Sequence, residues 1–493
     1  MSILQFHRLP RVILIVCLTC AIADCARNPV SGDLDFVTMS ENQEIQTGAK
    51  YHEQILKQYG IYEAPALQNY ISQLGKELAE HSHRKDLIYR FTVLDSPEVN
   101  AFALPGGYVY ITRGILAYLN SEAEAGGVLG HEIGHVTARH GVKQQSAATA
   151  AQIFSAVVAM KTGSQTYSDL TNILGGALLS GYGRDQELEA DRLGAEYIGN
   201  IGFDPHEMLR VIGVLKDQEE FAQQRAKTEG LQQQSYHGVF ASHPENDQRL
   251  QEVVDSVKKQ KSAEHTRDSD REPYLRQLDG LLFGQNPDQG LIRDNRFLHP
   301  DLGIAFNLPE EQAWRTQNLR DRFVMQRTDN QAMLQLTVED LHKRETPKEY
   351  LYRVLDNPKP AREESLDING LPAYTLTGTV QTNAGRANAR FTVIFYGEKA
   401  YLFVGAVDPK ADFATHDPQF VKIAGSFHRM TGQERQLAKP YRLKLYRTKP
   451  GDTYAGLARQ MPMPAYKEEQ LRLLNGDYPD HELKAGRLIK LVE

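Results

Sequence analysis

The residues with the clearest capacity for chemistry are His131-Glu132-Ile133-Gly134-His135. On a helix, histidines four apart share a face, so both imidazoles can reach one ion. Glu132 projects beside that ion, where it can take a proton from water activated there, as the general base of a metallohydrolase must. A catalytic zinc needs a third protein ligand and an open position. Downstream runs Arg184-Asp185-Gln186-Glu187-Leu188-Glu189-Ala190-Asp191-Arg192. Here Glu187 and Asp191 share a helix face, so one can ligate the ion while the other orients a ligand imidazole from behind. Glu189 points elsewhere. His140 lies five residues beyond His135, which on a continuous helix turns it well away from the ligand face, so it reads as a surface or capping histidine.

Several elements must position these groups. Ser121 to His140 reads as one long helix, opened by the capping spacing Ser121 to Glu124 and ended by Gly141. Leu129 and Ile133 give it a buried side, while Gly126, Gly127, Gly130 and Gly134 weaken it as a free helix and point to tight packing. Upstream, apolar residues recur at helical spacing from Ser40 to Gly60 and from Pro65 to His81. A strand follows over Ile88 to Leu94, then an extended pair, Val99 to Ala103 and Tyr108 to Thr112, about Pro105-Gly106-Gly107. Ser146 to Gly181 is rich in small residues, and Lys161 and the polar run Ser164 to Ser168 leave pieces too short to span a bilayer. Lying between the two metal motifs, it is expected at the mouth of the cleft as part of a gate.

A chain of 493 residues exceeds what one hydrophobic core serves. Its net charge of −7, mixed along the sequence, argues against nucleic acid as partner. Residues 1–24 carry Arg8, Arg11 and then the apolar run Val12 to Ala23, the composition of an export signal. Cys17 and Cys20 leave with it, so Cys25 alone remains and no disulfide framework is expected. Ile22-Ala23-Asp24-Cys25 has the form of a lipoprotein box disturbed at Asp24. The expected architecture is multi-domain α+β. A mainly helical metal-binding domain with a small edge sheet spans 33–258, a charged linker 259–280, a mostly antiparallel α+β domain of unknown role 281–433, and a small βααβ domain 440–493.

Taken together, these motifs resemble the HtpX and CAAX-prenyl-protease family of zinc metallopeptidases, peptidase family forty-eight, in its exported branch. The resemblance covers roughly residues 33–258 and rests on His131 to His135, on Glu187 to Asp191 as a Glu-x-x-x-Asp motif, on Asn100 to Gly107 and on Ser242-His243-Pro244. It implies a gluzincin-type fold, one zinc per chain, and His131, His135 and Glu187 as ligands, with Glu132 as base and Asp191 behind a ligand. It also implies that Asn100, Ala101, Phe102 and Ala103 form an edge on which an extended polypeptide adds by backbone pairing. His243 would either stabilise the oxyanion or close the open zinc position at rest. Cys25 to Gly32 is similar to the mature start of lipoproteins in that branch, implying a periplasmic protein anchored to the outer membrane through lipidated Cys25. Gly451-Asp452-Thr453, Leu473-Leu474-Asn475 and Leu483 to Leu491 resemble a LysM domain, which implies peptidoglycan binding.

The expected function is hydrolysis of peptide bonds in misfolded or misassembled envelope proteins by zinc-activated water. The alternative is an assembly factor, chaperone or peptidoglycan-binding protein with little proteolysis. An intact Glu132 favours the enzyme, because a pure binder has no use for the base. A zinc amidase acting on peptidoglycan is favoured by the LysM-like end alone.

Overall fold

The computed structural model of the chain describes residues 25–146, 182–229 and 267–493, less positions 38, 268, 270, 310–313, 342–343 and 383–384. The expected signal segment, the small-residue run after Ser146, His243 with its neighbours, and the side chain of Cys25 lie outside the described residues. The chain packs as two compact units. One draws on residues up to 56, 61–281 and 442–493, and the other on 57–60 and 282–441.

In the first unit, β1 (Cys25–Arg27) pairs antiparallel with β2 (Leu34–Phe36). Helix α1 (Glu41–Tyr59) opens on a reciprocal cap in which the Ser40 N–H donates to Gln43 Oε1 at 2.8 Å, and it stops at Gly60 with φ +74°. Helix α2 (Pro65–Glu80) follows, with Leu67, Ile71, Leu74 and Leu78 buried at helical spacing. Strands β3 (Arg90–Leu94), β4 (Ala101–Leu104) and β5 (Tyr108–Thr112) form a sheet in the order β3-β5-β4. β4 and β5 are the expected hairpin, antiparallel with Phe102 opposite Tyr110, while β3 runs parallel to β5. Thr112 caps α3 (Arg113–Tyr118) by accepting from the Ile115 N–H.

The motif helix α4 (Glu122–Thr137) begins where expected, with Ser121 Oγ accepting from the Glu124 N–H at 3.1 Å. Its end differs. The helix stops at Thr137, Arg139 takes φ +57°, and a separate helical turn covers 140–146, so Gly141 is no terminator. Helices α5 (Arg184–Asn200) and α6 (Glu207–Thr228) pack on α4. Much of the segment expected as a linker is held down where it is described. Arg267 reaches Glu77 at 2.9 Å and Glu122 at 2.6 Å, and α7 (Arg271–Gln277) buries Tyr274, whose hydroxyl donates to Leu116 O. Its charges look solvated in the sequence because their acidic partners lie far along the chain.

The C-terminal segment runs β6 (Tyr441–Arg447), α8 (Tyr454–Ala458), α9 (Lys467–Asn475) and β7 (Leu488–Val492), with the two strands antiparallel. It docks on the bundle. Lys490 is fully buried and donates to Ala117 O at 2.6 Å and Leu119 O at 2.7 Å, at the end of α3 and just before α4. Gln470 donates to the Tyr118 hydroxyl, and the Tyr478 hydroxyl to Gln224. Burial pushes the Lys490 amine well below its usual range and the Glu124 carboxyl up, each drawn back by the other's charge.

The second unit is built on a seven-stranded antiparallel sheet. Its spatial order is Trp314–Asn318, Arg322–Arg327, Ala332–Asp340, Lys399–Val407, Gly385–Tyr396, Leu371–Thr382 and Arg362–Ile368. Helix Phe413–Gly425 buries Phe420 and Ile423 with Phe403 and Phe306, and helix Pro347–Val354 buries Tyr350 and Leu351 with Leu376 and Phe391. Among the described residues, no helix is long and apolar enough to cross a membrane.

Candidate metal centre

The site depends on how closely α4 and α5 cross. A Cβ at Gly130 would lie 3.2 Å from Gly194 Cα, one at Gly134 3.1 Å from Ala190 O, and one at Gly194 3.0 Å from His131 N. Backbone therefore meets backbone, as the glycines of the motif helix suggested, and the acidic first turns of α5 come against the histidines of α4.

His131, His135 and Glu187 converge, all three buried, each offering one donor atom within 4.8 Å of the others. His131 Nε2 and His135 Nε2 are 3.0 Å apart, Glu187 Oε2 lies 3.6 Å from His131 Nε2, and Glu187 Oε1 lies 3.5 Å from His135 Nε2. Two donors held about 2.1 Å from one ion in a tetrahedral array stand roughly 3.4 Å apart, so the spacing fits a single small cation. The donor set of two imidazoles and a carboxylate fits zinc by the same rule. Glu132, Glu187 and Asp191 are all buried, and a cation at this point would offset a desolvation cost of several kcal/mol per carboxylate.

Behind the donors, His131 Nδ1 lies 2.8 Å from Asp191 Oδ1. His135 Nδ1 lies 2.9 Å from Nδ1 of His140, whose Nε2 is 3.1 Å from Glu189 Oε2. The surface reading of His140 is thus corrected. The residue is fully buried, outside the donor set and directly behind it, because the break at Arg139 swings it back. Glu189 likewise faces this centre through His140 instead of pointing away. Burial lowers the His140 pKa, with Glu189 opposing, and the hydrogen bond to His140 lowers that of Glu189. The Tyr182 ring stacks on His135 at 3.9 Å between centroids, and burial with nearby Glu132 and Glu187 raises its hydroxyl pKa far above the usual range. Nothing in the sequence pattern around Tyr182 marks it, since it follows a run of small residues.

Of the expected substrate strand, Asn100 closes the hairpin, its N–H donating to Thr112 Oγ1, and Ala101, Phe102 and Ala103 lie in β4. Ala101 and Ala103 are buried, while Phe102 is half-buried and stacks on Tyr110 at 4.8 Å. Among the described residues β4 pairs with β5 alone, so its other side is a sheet edge, and α4 packs against it.

The family model described as Peptidase family M48 matches residues 65–257. The beta-barrel assembly-enhancing protease of Escherichia coli (strain K12) is 31% identical over 212 residues, 41% of this chain and 44% of that protein. The mitochondrial metalloendopeptidase OMA1 of Schizosaccharomyces pombe is 29% identical over 36% of this chain and 53% of its own. Metalloprotease YcaL of Escherichia coli (strain K12) is 27% identical over 38% of this chain and 68% of its own. The chain spans about half the length of the first two. Among solved structures, a cyanobacterial PsbP from Synechocystis covers 27% of this chain and 91% of its own at 16% identity, with a TM-score of 0.23, too low to carry an argument. Over residues 65–257, then, the chain is similar to peptidase family M48, a metallopeptidase domain whose span takes in His131, His135 and Glu187.

Proposed function

We propose that the chain is a zinc metalloendopeptidase, with His131, His135 and Glu187 holding one zinc and Glu132 acting as general base. The observation that carries this is the buried triad of two imidazoles and a carboxylate at single-ion spacing, with a buried glutamate next to its first histidine. Bound zinc would supply Lewis acidity toward water and the scissile carbonyl. Glu132 takes the proton of the attacking water and returns it to the leaving amine. Asp191 Oδ1, 2.8 Å from His131 Nδ1, is placed to orient that imidazole so that Nε2 is left for the ion.

The substrate is an extended polypeptide that pairs its backbone with β4, a reading supported by the sheet edge that this strand forms beside α4 among the described residues. Asn100 to Ala103 would set its register. The assembly-enhancing protease among the relatives supports envelope proteins as the source, in an exported chain anchored through Cys25. His243 would complete the site as oxyanion donor or close it at rest, and the LysM-like end would add affinity for peptidoglycan. The same relative's name, which joins assembly to proteolysis, favours an assembly role beside peptide hydrolysis.

The deciding experiment is digestion of casein and of a denatured outer-membrane protein by the purified chain, with and without a chelator. Glu132→Gln should keep zinc and fold while losing at least ~10²-fold in rate. A Glu132→Gln enzyme cleaving as fast as wild type would remove Glu132 from the mechanism.

A further inference from the structure

The two ligand histidines are backed differently. Behind His131 a carboxylate stands in direct contact, Asp191 at 2.8 Å. Behind His135 stands another histidine, and the carboxylate is one step further out. The tautomers along this chain of contacts follow if the ion reading above holds, and the inference rests on that reading. Nε2 of His135 faces His131 and Glu187, so it must be the unprotonated donor to the ion, and the ring proton sits on Nδ1. That proton points at His140 Nδ1, 2.9 Å away, which must accept it. An accepting Nδ1 leaves the single proton of a neutral His140 on Nε2, where it points at Glu189 Oε2, 3.1 Å away. Each partner thereby fixes the tautomer of the next, ending on a carboxylate that is about a quarter exposed.

The backbone is built to hold this arrangement. On a continuous helix, His140 would face away from His135. Instead Arg139 adopts φ +57°, a conformation a non-glycine residue seldom takes without support. The support is visible. Arg139 Nε donates to Glu44 Oε2 at 3.2 Å and a terminal nitrogen donates to Met39 O at 3.0 Å, while Arg84 holds the other oxygen of the buried Glu44 at 2.8 Å. Tyr182 stacked on the His135 ring leaves that imidazole little freedom to rotate.

We propose that His140 is a positioning residue for the metal centre. It fixes the tautomer and plane of His135 and carries to it the electron-donating effect of Glu189. Its removal should weaken zinc binding before it weakens the fold.

The test uses the full chain and two readouts, zinc affinity by competition with a chromophoric chelator and thermal stability of the metal-free protein. His140→Leu fills the space but cannot accept from His135 Nδ1, and its zinc affinity should fall about 10- to 100-fold. His140→Asn offers an oxygen near the position of Nδ1 and should recover most of that loss. Glu189→Gln, which leaves the buried ring in place, should weaken zinc several-fold with an unchanged metal-free melt. In proteolysis the loss should appear in kcat at saturating zinc, with KM unmoved. If Leu and Asn variants bind zinc equally, or all three bind as wild type does, His140 is packing only and the proposal is overturned. A folded wild-type chain that takes up no zinc overturns the metal reading itself and the proposal with it, so the two failures are told apart.

Discussion

Gly194→Ala tests the α4–α5 crossing at the atom where it is tightest. Alone on a helix, the change would stabilise by up to about 1 kcal/mol through helix propensity. Here the new methyl lies 3.0 Å from His131 N and 3.3 Å from His131 Cα, both backbone atoms that no rotamer change can move. Relief to an ordinary contact of about 3.5 Å needs the helices to part by roughly 0.5 Å, and overpacking of this kind costs about 1–3 kcal/mol. The net expectation is a loss of about 1–2 kcal/mol. The same displacement carries Glu187 away from the histidines by more than the ~0.2 Å a ligand distance tolerates, so zinc affinity should drop at least ~10-fold. Gly213→Ala, in α6 with no described residue within 4 Å of where its methyl would stand, is the control and should stabilise by up to about 1 kcal/mol. Thermal melts and chelator competition on both variants decide the matter. A Gly194→Ala chain as stable and as zinc-avid as wild type would refute the claim that this crossing positions the site.

Lys490→Met should cost about 2–4 kcal/mol in denaturant unfolding, because it leaves the carbonyls of Ala117 and Leu119 without their donor; a loss below ~1 kcal/mol would show these two bonds to be dispensable for docking. Ser121→Ala removes the N-cap of α4 and should cost about 1 kcal/mol by the same assay. His299 is held neutral by burial, its pKa lowered to about 4 from 6.5, so the folded unit stays unprotonated where the unfolded chain takes a proton. Its contribution is present above pH 6.5 and is lost as pH falls toward 4, on the order of 3 kcal/mol at most. His299→Asn keeps an acceptor for the Leu302 N–H and should flatten stability against pH across that window; an unchanged acid limb would assign the loss to other groups.

Periodicity leads from the sequence to the convergence of His131 and His135 with one acid of the Glu187–Asp191 pair, because two helices with chemistry at i and i+4 need only cross to bring it together, and the family resemblance selects Glu187. The β4–β5 hairpin is equally legible from Pro105-Gly106-Gly107. What stays hidden is whatever depends on a break in the pattern. His140 looks remote only if α4 is taken as continuous, and Arg139 carries no sequence mark of a left-handed residue. Lys490 hides in a different way. Within the run Leu488 to Val492 it looks like the solvated member of an amphipathic strand, and only the docking of that strand against α3 makes it buried.

That docking gives the peptidase unit an unusual schedule. Lys490 and Ala117 are 373 residues apart, and between residue 281 and the return of the chain at 442 the ribosome makes all of the other unit but residues 57–60. At ordinary elongation rates those roughly 160 residues take about 8–30 s. All three side chains of the proposed metal site are synthesised long before the strand that closes their unit. A nascent chain that stalls within the second unit carries His131, His135 and Glu187 on a bundle that still lacks its clasp.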